Sequence, residues 1–180
     1  MTWLLRSLLV IAGYVAAGRL GLSLPGPPSF ASAFWPASGL ALAVLVRWGP
    51  RYTPAVALGS ITVNFLAGAP LWLAGLIALG SAGTPLAAAL WMRRAGFNPR
   101  LEQRRDLWLL LAVGAFGTAL ISAANGTAWL AIAGRTTPVD LPFTALRWWL
   151  GDTLGLLVAG VPLLSFTRRS LGQEIGRAHV

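Results

Sequence analysis

Hydrophobic residues along this chain gather in long, nearly uninterrupted runs, and short clusters rich in Gly, Pro and Arg separate them. A membrane-spanning helix needs about 20 mostly apolar residues, and only helices or closed barrels satisfy the backbone in hydrocarbon. The runs are too long, and alternate too little, for barrel strands. The pattern therefore predicts an all-α, polytopic integral membrane bundle, with six spanning helices at residues 3–22, 30–48, 52–66, 71–92, 107–133 and 146–166.

Composition supports a membrane protein and excludes several other classes. Hydrophobic residues make up 56% of the chain and charged residues only 11%, which is more apolar surface than a soluble core of 180 residues can hide. Cysteine is absent, so no disulfide, thiolate nucleophile or cysteine-based metal site is expected. The net charge of +9 comes from arginines between the runs and not from a soluble basic face. We expect no cofactor, no metal and no nucleic-acid partner.

The arginines are distributed unevenly between alternate loops. Basic residues in short loops mark the cytoplasmic side of a membrane. The second and fourth loops and the segment after the last run hold nine arginines, whereas the odd-numbered loops hold only Arg135. This bias predicts that both chain ends are cytoplasmic. The nine residues are Arg47, Arg51, Arg93, Arg94, Arg100, Arg104, Arg105, Arg168 and Arg169.

Both ends of the chain allow a second interpretation. The first run could be a signal peptide, with Arg6 as its charged start and Ala16-Ala17-Gly18 near a cleavage site. Counting it as a span, however, makes the charge alternation consistent. Residues 174–180 match a translated short-read sequencing adapter, so we expect a truncated membrane domain at residues 1–173 and an adapter-derived tail that gives His179 no role. The alternative is an ordinary cytoplasmic tail.

Asp152 is the residue that most needs an explanation. It lies several residues inside the last run, and a charge in the hydrocarbon layer costs about 2.5 to 3.5 kcal/mol on insertion scales. Arg19 lies late in the first run, so the orientation places both residues in the outer half of the bilayer. Further polar residues occur at broadly similar depth, and they are Ser38, Asn64 and Asn125.

Two interpretations of this polar layer remain open. In the structural one, Arg19 and Asp152 form a buried ion pair, and the neighbouring amides and hydroxyl hold the helices together. In the functional one, Trp35, Trp148 and Trp149 roof a shallow periplasmic cavity in which a small ligand meets Arg19 and Asp152. Trp148 and Trp149 precede Asp152 by four and three residues, so an indole N–H could reach its carboxylate. An aromatic belt near the headgroups is the alternative for these tryptophans.

Two further motifs are less specific. Gly151 and Gly155 form a small-xxx-small face that allows close helix contact. The loop at residues 100–106 mixes charges of both signs, and it could dock an output domain or anionic lipid. A loop that only sets the membrane topology explains the same residues.

Three stretches of the chain form a recognisable set. They are Phe34-Trp35-Pro36-Ala37-Ser38-Gly39 with the following helix, Arg47-Trp48-Gly49-Pro50-Arg51 through Ala55-Val56-Ala57-Leu58-Gly59-Ser60 to Asn64-Phe65-Leu66-Ala67-Gly68, and Trp148-Trp149-Leu150-Gly151-Asp152 with Pro162-Leu163-Leu164. Together they resemble the membrane-associated sensor domain of the first type, in the MASE group of bacterial signalling proteins. Their order and spacing also match the family over most of the chain.

This resemblance implies a sensory input domain in the bacterial inner membrane. In the family, such domains precede histidine kinases of two-component systems, diguanylate cyclases that make cyclic di-GMP, and related regulators. It implies no catalytic centre, so this fragment is not expected to be an enzyme. Expected partners are the lipid bilayer, an unknown small-molecule or membrane stimulus, the missing cytoplasmic output domain and a possible second copy in a homodimer. A small transporter or channel that uses Arg19 and Asp152 is the main alternative, and an enzyme is the third.

Overall fold

A computed structural model describes residues 2–24 and 31–165 of the chain. These residues form six helices, and no strand occurs among them, which confirms the predicted all-α class. The helices are α1 (Trp3–Ser23), α2 (Pro36–Trp48), α3 (Thr53–Leu66), α4 (Leu71–Arg94), α5 (Arg104–Ile132) and α6 (Leu141–Ser165). The proposed tail at residues 174–180 and the C-terminal arginines lie outside the described ranges.

Four of these helices, α1, α4, α5 and α6, are long and apolar enough to cross a membrane. Their outward faces carry large exposed side chains such as Leu9, Leu79 and Ile121, which are 51%, 64% and 61% exposed. Four tryptophans at helix ends are also more than half exposed, as an aromatic belt requires. These tryptophans are Trp3, Trp72, Trp91 and Trp108.

Helix α2 is short because it lies inside the bundle. Its 13 residues pack against α1, α4 and α6, and residues 41–46 are all buried. A helix that is apolar on all sides is stable in such an interior position. The sequence predicted a helix from residue 30, but residues 31–35 are not helical and α2 begins at Pro36. Proline fits the first helical turn because its missing N–H would have no partner there.

Several contacts bring one set of helix ends together. The guanidinium of Arg6, near the start of α1, lies 5.4 Å from the ring centroid of Trp48 at the end of α2. Arg47 donates a hydrogen bond of 2.8 Å to the carbonyl of Leu163 near the end of α6. The first and last helices therefore have opposite directions, as the alternating loop charges predict.

Candidate functional site

Asp152 lies in the middle of α6 and is only 5% exposed. The helix begins at Leu141, five residues earlier than the hydropathy pattern predicted. At about 1.5 Å per residue, Asp152 is therefore about 16 Å along the helix axis. The carboxylate therefore belongs to the middle of the helix, far from both of its ends. Its environment must therefore stabilise it within the protein.

The start of α2 supplies that stabilisation. Ser38, in the first turn of α2, donates a hydrogen bond of 2.5 Å from Oγ to Oδ1 of Asp152. A helix N-terminus carries about half a positive charge, which favours a carboxylate nearby. The side chains of Ser122 on α5 and Trp148 on α6 also interact with this carboxyl group. Asp152 is thus held by polar groups from three helices.

The non-helical segment at residues 31–35, which precedes α2, makes this arrangement possible. Trp35 donates a backbone hydrogen bond of 2.9 Å to the carbonyl of Gly151, and Ser32 Oγ donates one of 2.8 Å to the carbonyl of Gly21 on α1. Non-helical backbone at membrane depth is tolerated only where protein or a cavity surrounds it. Residues 31–35 are bound to both α1 and α6 by these hydrogen bonds, and within the segment Ala33 is exposed.

Small residues on α6 allow this segment to approach so closely. A Cβ at Gly151 would overlap the carbonyl oxygen of Ser32, and a Cβ at Gly155 would overlap that of Trp35. A Cβ at Gly39 of α2 would in turn overlap the carbonyl of Gly155. The predicted face of Gly151 and Gly155 therefore packs against residues 31–35 as well as against α2. This close packing allows Ser38 to reach Asp152.

Two adjoining cavities meet at the carboxylate. Ser81 of α4 and Asp152 line both cavities. The first cavity extends toward α5, and the second extends toward α3 and the segment before α2. The first is lined mainly by hydroxyl-bearing and small apolar side chains, and the second by Trp35, Trp148, Asn64, Ser32 and Ile77. The space has room for about one or two water molecules in this conformation.

Thr84 places an unpartnered hydroxyl in the first cavity. Its side chain is 7% exposed, and Oγ1 has no hydrogen-bond partner. The next residue, Pro85, has no N–H, so the carbonyl of Ser81 lacks the usual helical donor four residues later. Ser81, Thr84 and Pro85 all line the same cavity. A buried hydroxyl without a partner costs about 1 to 3 kcal/mol, which a bound water or ion would offset.

Tyr14 belongs to the polar surroundings of the second cavity. It is 1% exposed, and its hydroxyl interacts with the side chains of Trp35, Ser60 and Ser81. Gly59 permits this position, because a Cβ there would lie 2.7 Å from Cβ of Tyr14. Tyr14 thereby links α1 and α3 to the groups around Asp152.

Arg19 does not take part in this site. It is exposed on α1, and Asp152 forms no ion pair with any residue in the described ranges. The predicted Arg19–Asp152 pair is therefore wrong. The position of a residue along a helix does not determine which way its side chain faces, and this direction decides whether two residues meet. Ser38 and the α2 N-terminus contact Asp152 in place of Arg19, and they offset only part of its charge.

The other predicted residues divide into two groups. Trp35, Ser38, Asn64, Trp148 and Asp152 line the cavities, so these five are brought together as expected. The aromatic-belt interpretation is wrong for Trp148, which is 9% exposed and packs on Gly126. Asn64 also donates a hydrogen bond of 2.9 Å to the carbonyl of Ser60 on its own helix.

Asn125 and Trp149 have structural contacts elsewhere. Asn125 donates a hydrogen bond of 3.1 Å to the carbonyl of Leu76 on α4 and accepts one of 3.2 Å from the indole of Trp129. The indole of Trp149 donates to the carbonyl of Phe116, at 3.3 Å, and not to Asp152. Neither residue lines the two cavities.

Two π-helical segments lie beside the site. They span Leu110–Gly117 within α5 and Leu156–Gly160 within α6, and they contact each other. Side chains satisfy three successive carbonyls of the first segment: Thr118 donates to Gly114, Thr153 to Ala115 and Trp149 to Phe116. Single π turns inside α-helices occur frequently at functional sites. No sequence pattern identified these segments.

Sequence reasoning missed Tyr14, Ser81, Thr84 and Ser122. A signal for two of them exists, because Ser81 and Thr84 are polar, three residues apart and next to the only proline inside α4. Such spacing places both on one helix face. Among residues 2–24 and 31–165, no group of three or more His, Asp or Glu side chains could hold a metal ion. The oxygen atoms of the cavity can instead bind water, a proton or a hard cation.

Comparison with known proteins identifies the family. The MASE1 family model matches residues 4–179, which is nearly the whole chain. The chain belongs to the MASE1 family. MASE1 domains are membrane sensory domains, in agreement with the predicted resemblance and with the apolar helices. No curated protein and no solved structure matches the chain.

Proposed function

We propose that this MASE1 domain is the sensory input module of a bacterial inner-membrane signalling protein, with its N-terminus in the cytoplasm. The output would be a histidine kinase or a diguanylate cyclase that follows in the intact protein. The MASE1 match supports a sensory role, and the buried polar cavity at Asp152 supports a place where a stimulus acts. The cavity is the observation on which the proposal depends.

The position of the cavity suggests how a stimulus would be transmitted. It lies where α2, α4, α5 and α6 meet, and its lining includes Thr118 and Leu156, which border the two π segments. Binding that favours one arrangement of these helices would shift a two-state equilibrium toward that arrangement. Helix shifts of about 1 to 2 Å are a known way to carry such a signal between sites.

The test begins with the complete gene at its source locus. We expect the reading frame to continue into a kinase or cyclase domain, and a stop codon soon after α6 would instead favour a transporter. Output activity of the complete protein should then change in Asp152→Asn and Ser38→Ala. It should not change in Thr62→Val, because Thr62 is exposed and its hydroxyl donates to the Leu58 carbonyl of its own helix. Unchanged output in both cavity variants would contradict a sensory role for the cavity.

A further inference from the structure

The negative charge of Asp152 is only partly balanced by the protein. Its carboxylate is 5% exposed and has no cationic side chain as a partner in the described part of the chain. The α2 N-terminus provides about half a positive charge, and Ser38 provides a hydrogen bond without charge. A buried carboxylate requires fuller compensation, from either a proton or a bound cation.

The atoms around Asp152 suit a hard cation. The first cavity presents hydroxyl groups from α2, α4 and α5, and α6 contributes the carboxylate of Asp152. Pro85 also leaves the carbonyl of Ser81 without its usual helical donor. Hard cations prefer such oxygen ligands. Thr84 Oγ1 is the strongest single indication, because it is buried in the cavity wall with no partner. The hydroxyl-bearing residues are Ser38, Ser81, Thr84, Thr118 and Ser122.

Charge and size narrow the choice of ion. Divalent cations are usually held by several carboxylates or by phosphate groups, whereas this cavity has one carboxylate whose charge is already partly offset. The space fits about one or two water-sized particles, which excludes organic amines in this conformation. Unwound backbone and helix ends at membrane depth also bind Na⁺ in transporters.

We propose that the cavity formed by Asp152, Ser38, Ser81, Thr84 and Ser122 binds a small monovalent cation, and that Na⁺ is the ion that fits it. This inference rests on the proposed function, because it identifies the ligand class of the same site. Occupancy would neutralise Asp152 and draw oxygen atoms of α2, α4, α5 and α6 toward one centre. The domain would then respond to Na⁺.

The test is the thermal stability of the full chain in detergent as NaCl replaces choline chloride at constant ionic strength. A ligand that binds only the folded state raises the melting temperature in a concentration-dependent way. We expect an increase of several degrees in the wild type, no increase in Asp152→Asn, and about tenfold weaker Na⁺ dependence in Thr84→Val.

Thr127→Val is the matched control for Thr84→Val. Thr127 is a threonine of α5 that is 6% exposed and has an unpartnered Oγ1, but it does not line either cavity. Both valine variants retain the side-chain shape and remove an unpartnered hydroxyl, so both should fold. Only Thr84→Val should weaken the response to Na⁺, and an equal loss in Thr127→Val would overturn the assignment.

Other outcomes also contradict the Na⁺ site. These are a wild type with no response to NaCl, an equal response to KCl, and stabilisation by acid alone, which would assign a proton to Asp152. Failure of the proposed function is distinguishable from each of them. A locus without an output domain would remove the signalling role and leave Na⁺ binding intact, whereas absent Na⁺ binding would leave a kinase or cyclase at the locus unaffected.

Discussion

Ser38 and Asp152 share a hydrogen bond of 2.5 Å between Oγ and Oδ1, although 114 positions separate them in the chain. The bond joins the start of a central helix to the middle of a spanning helix. It replaces the ion pair that the sequence suggested for Asp152. Energetic coupling in this molecule should therefore follow the Ser38 contact and not the charge of Arg19.

We expect Ser38→Ala to destabilise the protein by about 1.5 to 3 kcal/mol, as is typical for hydrogen bonds to charged groups. The double variant with Asp152→Ala should lose less stability than the sum of the two single variants, because either change alone already removes the hydrogen bond. The measurement is a double-mutant cycle by reversible unfolding in detergent. Arg19→Ala with Asp152→Ala is the control, and these changes should add within about 0.5 kcal/mol. A larger coupling to Arg19 would contradict the arrangement.

Replacing a glycine by alanine should reduce stability where the backbone of another segment lies close by, and it should not do so where the space is open. Gly155→Ala should destabilise by about 3 kcal/mol or more, because its Cβ would overlap the Trp35 carbonyl and neither backbone segment can move freely. Gly83→Ala on α4 meets nothing within 4 Å, so it should stabilise by about 0.5 to 1 kcal/mol through helix propensity. The test compares the melting temperatures of the two variants in detergent. Equal changes in melting temperature would contradict the close approach of residues 31–35 to α6.

The π segment of α5 should depend on hydrogen bonds from α6. Thr153→Val retains the side-chain shape but removes the 3.0 Å bond to the Ala115 carbonyl, at an expected cost of about 1 kcal/mol. Thr62→Val removes only an exposed bond within α3 and should cost less than about 0.5 kcal/mol. Hydrogen exchange of residues 110–117 should rise in Thr153→Val alone. Unchanged exchange would show that the segment does not need this partner.

Asp106 should hold the arginine-rich loop between α4 and α5 in place. Its side chain is 2% exposed and accepts backbone hydrogen bonds from Asn98 at 3.0 Å and Gln103 at 3.3 Å. Asp106→Ala should therefore speed tryptic cleavage at the loop arginines. Glu102→Gln is the control, because its ion pair with Arg100 is exposed and contributes little. Similar cleavage rates in the two variants would contradict a role for Asp106 in ordering the loop.

Orientation in the membrane can be tested with reporter fusions. Fusions after Gly49 and Pro99 should report cytoplasm, because both positions lie in arginine-rich loops. Fusions after Pro70 and Pro138 should report periplasm, because their loops hold few arginines. Arg93 lies beside Gly49, with Nη1 3.9 Å from the position of a Cβ there, so the two basic loops share one end of the bundle. A periplasmic result after Pro99 would reverse the whole orientation.

Run length and residue type were enough to predict the helices and the position of the unusual charge. Apolar run length requires helices in hydrocarbon, and the bounds of α1 and α4 differ from the predicted ones by no more than two residues. The same reasoning identified Asp152 as buried, because a carboxylate within an apolar run has a high cost in lipid. Arginine placement likewise predicted which helix ends lie together.

The contacts between side chains depend on how the helices pack, and the sequence did not predict them. Helical rise converts sequence position into depth, but the direction of a side chain depends on how each helix rotates against its neighbours. Arg19 therefore faces outward although its depth suggested a partner for Asp152. The non-helical residues 31–35 and the π segments also depend on packing, because neighbouring helices supply their hydrogen bonds. The hydrophobicity of one apolar run does not predict such partners.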